Sequence, residues 1–108
     1  MADLGTLAEL LEKLQGGSPE ADKALSQALN CAEGPITESV EEASRLLHST
    51  LPDWHVHVGY DASGILPYAS LTLGAAHYEA IAPTVPLALV RVLVAALRGI
   101  AQEATQAP

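Results

Sequence analysis

Two short motifs in the middle of the chain carry the side chains best suited to chemistry, His55-x-His57 and His77-x-Glu79. Alternate residues of a strand point to the same side, so each motif presents its two polar groups together, and imidazole and carboxylate are good zinc ligands. In a simple three-stranded meander, however, the motifs lie on the two outer strands, about 9–10 Å apart. A zinc ion needs each ligand atom at about 2 Å. We therefore expect no metal site and no cofactor, and a metal-dependent hydrolase using His55, His57 and His77 is the least favoured interpretation.

These motifs belong to a wider polar face of the predicted sheet. Its members are hydrogen-bonding or aromatic side chains on one side of three strands: His55, His57, Tyr68, Ser70, Thr72, His77 and Glu79. Three interpretations stay open. The face is a solvated surface of strand-favouring polar residues, a flat recognition surface for a partner protein, or the contact between two copies of the chain.

The acidic residues form a second candidate surface. Thirteen acids against five bases give the 108-residue chain a net charge of −8, and ten of the acids lie between Asp3 and Asp53. Four of them precede or open the third predicted helix: Glu33, Glu38, Glu41 and Glu42. Negative charge repels phosphate backbones, so we expect no direct nucleic-acid binding and, as a charge-driven partner, a protein with a basic surface. The alternative is that the acids only keep a small protein in solution.

Other arrangements for catalysis are missing from the sequence. No serine lies in the Gly-x-Ser-x-Gly setting of a nucleophile elbow, and no glycine-rich phosphate loop follows a strand. The single cysteine, Cys31, excludes an internal disulfide and is typical of a reducing compartment such as the cytoplasm. The apolar run from Val85 to Leu97 is too short for the roughly 20 residues of a spanning helix, and Arg91 interrupts it. We expect a non-catalytic protein without a membrane span.

Hydrophobic periodicity predicts the elements that position these residues. Helices are predicted over about residues 3–15, 19–29, 38–50 and 85–103, and strands over about 54–60, 68–73 and 76–81. Ser18, Thr37 and Thr84 are the predicted N-caps of the last three helices. The chain is therefore predicted to be a single α+β domain, with three N-terminal helices, a three-stranded antiparallel β-meander and a long C-terminal helix packed on the sheet.

The last helix is predicted to lie at the centre of the fold. It is apolar on nearly every side, and its two charges, Arg91 and Arg98, are seven residues apart and lie along one edge that is open to water. One of its sides would cover the apolar sheet face, which is formed by Trp54, Val56, Val58, Tyr60, Ala69, Leu71 and Leu73. The first and third helices, or a second copy of the chain, would cover its other side.

Three segments spread over most of the chain occur in a characteristic order. They are residues 35–43 (PITESVEEA), 51–56 (LPDWHV) and 82–89 (APTVPLAL). In these segments the chain resembles a family of small phage and prophage proteins described as the phage ABA sandwich domain. The resemblance implies an α/β/α sandwich-like fold with helices on both sides of the sheet, a phage or prophage origin and the bacterial host cytoplasm as the place of action. It transfers no catalytic residue.

We therefore expect a small acidic phage protein that binds a host protein complex and inhibits it, for example a CRISPR-Cas defence complex. The acids of such a protein would occupy a basic groove that otherwise holds phosphates. The candidate contact residues come from the acidic surface and the polar sheet face: Glu33, Glu38, Glu41, Glu42, His55, His57, Tyr68, His77 and Glu79. The alternative is a phage structural or assembly protein that acts by self-association, as a homodimer for example.

Overall fold

The computed structural model describes residues 4–106. In chain order their elements are α1 (Leu4–Glu12), α2 (Pro19–Leu29), α3 (Val40–Thr50), β1 (His55–Tyr60), β2 (Pro67–Leu73), β3 (Ala76–Ile81) and α4 (Val85–Gln106). The predicted α+β class and the predicted order of helices and strands are confirmed. The predicted start of the first helix, at Asp3, lies outside the described residues.

The sheet is an antiparallel meander in the order β1-β2-β3. Its register places His55 opposite Thr72 and Thr72 opposite His77, so these side chains share one face. Gly64 and Gly74 close the two connections with φ angles of 75° and 59°, a conformation that other residues rarely adopt. The strands therefore present their polar residues to one side and their apolar residues to the other, as the alternation predicts.

Helix α4 is the central element of the fold. It packs against β2 and β3 on one side and against α1 and α3 on the other. Its core positions are fully buried: Leu87, Ala88, Leu89, Val90, Val92, Leu93, Val94 and Ala96. Burial of a large aliphatic side chain stabilises a fold by roughly 1.5–3 kcal/mol, so this helix supplies a large share of the apolar stabilisation.

The order of the layers is sheet, α4, then α1 and α3. This differs from the arrangement that the resemblance implies, with helices on both sides of the sheet. On the polar face the side chains of His55, His57, His77 and Glu79 are exposed. Helix α4 covers the apolar surfaces of the N-terminal helices. These helices therefore have no further apolar surface that would be buried by packing on the polar face of the sheet.

Helix α4 covers only part of the apolar sheet face. Trp54 and Val56 are half-buried, but Val58 is 42% exposed and Tyr60 is 63% exposed. The prediction that all of them are buried is therefore wrong for Val58 and Tyr60, and also for Leu73, which is 45% exposed. A helix about 10 Å wide spans about two strands spaced 4.8 Å apart, and α4 lies over β2 and β3.

The start of α3 also differs from the prediction. Ser39, not Thr37, is the N-cap, and its Oγ accepts a hydrogen bond from Glu42 N at 3.2 Å. Thr37 is buried and its Oγ1 donates to Asp22 Oδ1 at 2.8 Å. Asp22 Oδ1 also accepts from Thr37 N at 2.7 Å. Thr37 therefore connects the segment before α3 to the first turn of α2, which local sequence patterns cannot show.

By length and composition alone, part of α4 is able to cross a membrane. The stretch Val85–Glu103 has 19 residues and a mean hydropathy of 1.6. It is longer than the apolar run considered from the sequence, because it continues past Arg98. Half of it is buried inside the fold, where α1, α3 and the sheet contact it, and this position accounts for its apolar character.

Candidate functional site

The polar sheet face has its own network of contacts. Thr72 Oγ1 is 2.9 Å from His77 Nδ1, and His77 Nε2 is 3.6 Å from Glu79 Oε2. The rings of His57 and Tyr68 are in tilted contact, with centroids 5.8 Å apart. These contacts hold the side chains in place on an open surface. The side chains in contact belong to residues that lie opposite or diagonally opposite each other in neighbouring strands or alternate along one strand.

The His motifs do not converge on a metal. His55 and His77 lie on the two outer strands, with Thr72 of the central strand between them. Within residues 4–106, no three His, Cys, Asp or Glu side chains are grouped as metal ligands. His77 and Glu79 form a pair on this face, and the hydrogen bond between Thr72 and His77 engages the other nitrogen of the imidazole.

The side chains of Thr72, His77 and Glu79 contact one another in the order hydroxyl, imidazole and carboxylate. A nucleophilic triad has the same order of groups. An acyl-transfer site needs, in addition, N–H groups aimed at a developing oxyanion. Thr72 lies in the central strand, whose backbone N–H groups are paired with β1 and β3. The side chains of His77 and Glu79 are at least half exposed. The arrangement is suited to binding through hydrogen bonds.

A cleft of about 620 Å³ opens at the end of the sheet where β1 ends and β2 begins. Three acidic residues line it: Glu12 from the end of α1, Asp61 from the β1–β2 loop and Glu79 from β3, whose carboxylate lies beside His77 on the polar face. The tyrosines Tyr60 and Tyr68 also line it. Two of the residues predicted from the sequence, Tyr68 and Glu79, thus belong to one concave site.

Arg91 is the cation on the wall of this cleft, and its guanidinium is already engaged by backbone carbonyls. Nη2 donates to Leu11 O at 2.8 Å and to the carbonyls of Glu12 and Leu14 at 3.2 Å. Nη1 donates to Ile81 O at 2.9 Å. A cation at this position also complements the negative end of the α1 dipole. Arg91 is half-buried at this edge of α4, and it joins the end of α1 to the end of β3.

Asp61 is held as a carboxylate by the loop that contains it. The hydrogen bond from the Ser63 hydroxyl is the main reason that the pKa of Asp61 is lowered from its ordinary value of 3.8. Backbone N–H groups in the loop, including that of Ser63 at 3.1 Å, add to the effect. At neutral pH the cleft therefore has a fixed negative charge at this position.

The acidic surface near α3 is a separate place in the fold. Arg45 pairs with Glu41 at 3.0 Å and with Glu42 at 2.9 Å, and Glu42 N closes the helix cap, so two of the four predicted acids have structural partners. Glu33 and Glu38 are exposed. Glu33 and Glu42 line a small hollow of about 170 Å³. Helix α3 lies in the layer beyond α4, so this surface is not part of the sheet-end cleft.

The sequence patterns did not identify Glu12, Tyr60, Asp61 or Arg91 as site residues. The alternation of Tyr60 with His57 and Gly59 predicts that Tyr60 lies on the buried face, and the sequence around Asp61 predicts only a turn. Glu12 reaches the cleft because α1 ends against α4, a contact between residues about 80 positions apart in the chain. Of these four residues, only Arg91 could have been recognised from the sequence, because an isolated charge in an apolar helix needs polar partners.

No family model, no curated protein and no solved structure matches this chain. The resemblance of residues 35–43, 51–56 and 82–89 to the phage ABA sandwich domain stays a prediction, and so does the phage origin that it implies.

Proposed function

We propose that this protein is a non-catalytic binding protein that takes up basic side chains of a host protein in the sheet-end cleft. With the phage or prophage origin expected from the resemblance, its place of action is the bacterial cytoplasm. Its effect is inhibition of a host complex that handles nucleic acid, of which a CRISPR-Cas complex is an example.

The charge of the cleft carries this proposal. Three acidic residues, Glu12, Asp61 and Glu79, line the cleft, and the guanidinium of Arg91 is bonded to carbonyl oxygens. An incoming lysine or arginine would therefore meet these carboxylates, of which Glu79 Oε2 already lies 3.6 Å from His77 Nε2. Bidentate contacts between guanidinium and carboxylate groups are among the stronger polar contacts in proteins.

The tyrosines add a second reason to expect a cationic side chain. Tyr60 and Tyr68 line the same cleft as the carboxylates. Aromatic rings attract ammonium and guanidinium groups through their negative faces, by about 0.5–1 kcal/mol at exposed sites. Acids and aromatic rings together distinguish this cleft from a surface that is only solvated.

The acids near α3 extend the negative surface to another layer. Glu33 and Glu38 are exposed there, whereas Glu41 and Glu42 are partly neutralised by Arg45. Long-range attraction depends on the summed field, so both groups raise the rate at which a basic partner is met. The cleft is expected to supply the specific contacts.

Capture of proteins from a nuclease-treated bacterial lysate tests the proposal. The wild-type protein and the variant Glu12→Lys/Glu79→Lys are immobilised, and retained proteins are identified by mass spectrometry at about 50 mM salt, where charge contacts are strong. We expect the wild type to retain basic proteins that bind nucleic acid. The double variant should retain them at least about tenfold less well, which corresponds to 1.4 kcal/mol.

The matched control is Glu9→Lys/Glu103→Lys, which changes the net charge equally at two exposed positions outside the cleft. The proposal requires the control to retain the same proteins at nearly the wild-type level. Equal losses in the two variants would mean that only net charge matters, and equal retention in all three proteins would remove the cleft from the function. Reversal of Glu33, Glu38, Glu41 and Glu42 tests the α3 surface in the same way.

A second candidate function, assembly through self-association, is favoured by the uncovered edge of the sheet at β1. It needs no acidic side chain and is therefore separable from capture of a basic partner.

A further inference from the structure

Among the strands of residues 4–106, β1 is an edge strand that pairs with β2 alone. Asp61 N donates to Leu66 O at 2.8 Å, which marks this pair as hydrogen-bonded in the β1–β2 ladder. In an antiparallel ladder the bonding residues alternate, so the backbone groups of His57 face β2 and those of Val56, Val58 and Tyr60 face outward. Three residues thus offer N–H and C=O groups along one open edge.

The opposite edge of the sheet, β3, is better protected. By the same alternation, Ala82 N bonds to Pro67 O and the backbone of Ile81 faces outward. The carbonyl of Ile81 accepts a hydrogen bond from Arg91 Nη1, and β3 also carries the charged residue Glu79. Charged residues and covering contacts are the usual means by which sheet edges are kept from pairing. Strand β1 has neither of these features.

The side chains at the open edge are apolar and uncharged. Val58 and Tyr60 are exposed by 42% and 63%, and in the adjoining loop Ile65 and Leu66 are exposed by 75% and 40%. Together they expose on the order of 400 Å² of apolar surface, within the range at which a patch on a small protein indicates an interface. If two such patches are buried against each other, together with the backbone and the two histidines of each strand, the buried area approaches that of a stable protein–protein interface.

We propose that β1 is the interface between two copies of this chain, which pair antiparallel about a two-fold axis to form a six-stranded sheet. A chain with a net charge of −8 repels itself over most of its surface, but β1, with the sequence HVHVGY, has no acidic or basic residue other than histidine. A basic partner would find no carboxylate on this strand. A second copy supplies the complementary open edge and the matching apolar side chains.

The pairing is centred on Val58, because Val58 is the middle one of the three residues that face outward. Val58 of one copy then lies opposite Val58 of the other, and Val56 lies opposite Tyr60 on the same face. On the polar face His57 lies opposite Gly59. The two-fold arrangement uses the open edge of each copy, so it closes as a dimer and does not continue as a filament.

The oligomeric mass and its response to Val58→Lys test this interface. Sedimentation and light scattering should give twice the protomer mass of 11.2 kDa for the wild type. A lysine at this position should raise the dimer dissociation constant at least tenfold, because edge lysines oppose strand pairing. Val40→Lys is the matched control, since Val40 is 50% exposed on α3 and the charge change is the same. The control should remain a dimer.

Two further measurements decide the outcome. Val58→Pro removes an outward N–H without removing a bond to β2, so it should also give monomers, with circular dichroism confirming that both variants fold. In the wild type, hydrogen exchange at Val56, Val58 and Tyr60 should slow by at least tenfold between dilute and concentrated samples. Dimerisation should strengthen as salt increases, because the like charges of the two copies are then screened.

A wild type that stays monomeric at millimolar concentration would overturn the proposal. The open edge of β1 would then be a binding site for a different protein. A dimer that survives both Val58→Lys and Val58→Pro would also overturn it, because the contact would then lie elsewhere. Tyr60 borders both surfaces, but neither result depends on the acidic residues of the cleft, so failure here leaves the proposed function standing.

Discussion

Arg91 Nη2 lies 2.8 Å from the carbonyl oxygen of Leu11, and this contact joins the N-terminal half of α4 to the end of α1. The two residues are 80 positions apart in the chain. The same guanidinium reaches Ile81 O at 2.9 Å, so a single side chain satisfies carbonyls of a helix and of an edge strand. It also forms part of the wall of the acidic cleft. Arg91 thus has a structural role next to the candidate site.

Replacement of Arg91 by methionine should lower the free energy of unfolding by about 2–4 kcal/mol, because several charge-assisted hydrogen bonds to carbonyls of α1 and β3 are lost. Arg91→Lys should recover only part of this, since an ammonium group cannot reach carbonyls on two elements as a planar guanidinium does. Urea denaturation gives the comparison. The exposed Arg98→Met is the control and should change stability by less than about 0.5 kcal/mol. A similar loss at both positions would contradict this role.

Thr37 should be important for stability through its hydroxyl group. Thr37→Val keeps the shape but removes the donor to Asp22 Oδ1 and the acceptor for Ser18 N, which lies at 2.8 Å. We expect a loss of about 1–3 kcal/mol, because Ser18 N is left without its acceptor and Asp22 Oδ1 keeps only the bond from Thr37 N. Thr37→Ser, which keeps the hydroxyl, should lose less than the valine variant. Thermal unfolding of the two variants is the measurement, and the reverse order would assign the role to the methyl group.

Gly99 gives α4 room for the ring of Tyr78. A Cβ at this position would overlap the Tyr78 hydroxyl, whereas a Cβ at Gly16 would meet no atom within 4 Å. Gly99→Ala should therefore destabilise the protein by about 1–3 kcal/mol through overpacking, although alanine favours helices by about 1 kcal/mol over glycine. Combining it with Tyr78→Leu should give a smaller total than the sum of the two single effects. Additive losses in this double-mutant cycle would show that the two residues do not compete for space.

Asp61 should make the β1–β2 loop sensitive to acid. Its pKa is lowered in the folded protein, so its contribution to stability is present above the ordinary value of 3.8 and is lost as the pH falls through the lowered value. An NMR titration of the carboxyl carbon should show a midpoint below 3.8. Ser63→Ala should move the midpoint upward, because the Ser63 hydroxyl is the main cause of the shift. A midpoint at or above 3.8 in the wild type would disprove this account.

The elements of the fold could be predicted because each depends on neighbours in the chain. Alternation over His55–Tyr60 and helical spacing over Pro19–Leu29 are local patterns, and both elements occur where they were expected. The ladder register follows from the short connections at Gly64 and Gly74, so the polar face could also be assembled correctly from sequence. The exposure of Val58 and Tyr60 could not be predicted, because it depends on where α4 lies across the sheet.

The candidate site was predicted only in part, for a similar reason. Tyr68 and Glu79 were recognised by their place on the polar face, but Glu12 and Asp61 complete the cleft from other elements. Thr37 was expected to cap the nearest helix, whereas a partner 15 residues away binds it instead. The chemistry of a side chain determines which groups it can bind. The packing of segments that are distant in the chain determines which of these groups lie within its reach.

By itself the sequence determined the helices, the strands, their order and the two faces of the sheet, because backbone preference and side-chain periodicity act over a few residues. It also determined that α4 must be buried on more than one side, since it carries only two charges over most of its length. Only the tertiary structure decided that α4 lies between the sheet and helices α1 and α3, that Arg91 binds carbonyls of α1 and β3, and that Val58 and Tyr60 of β1 stay exposed. These outcomes depend on how whole elements compete for the same apolar surface, and no short stretch of residues contains that information.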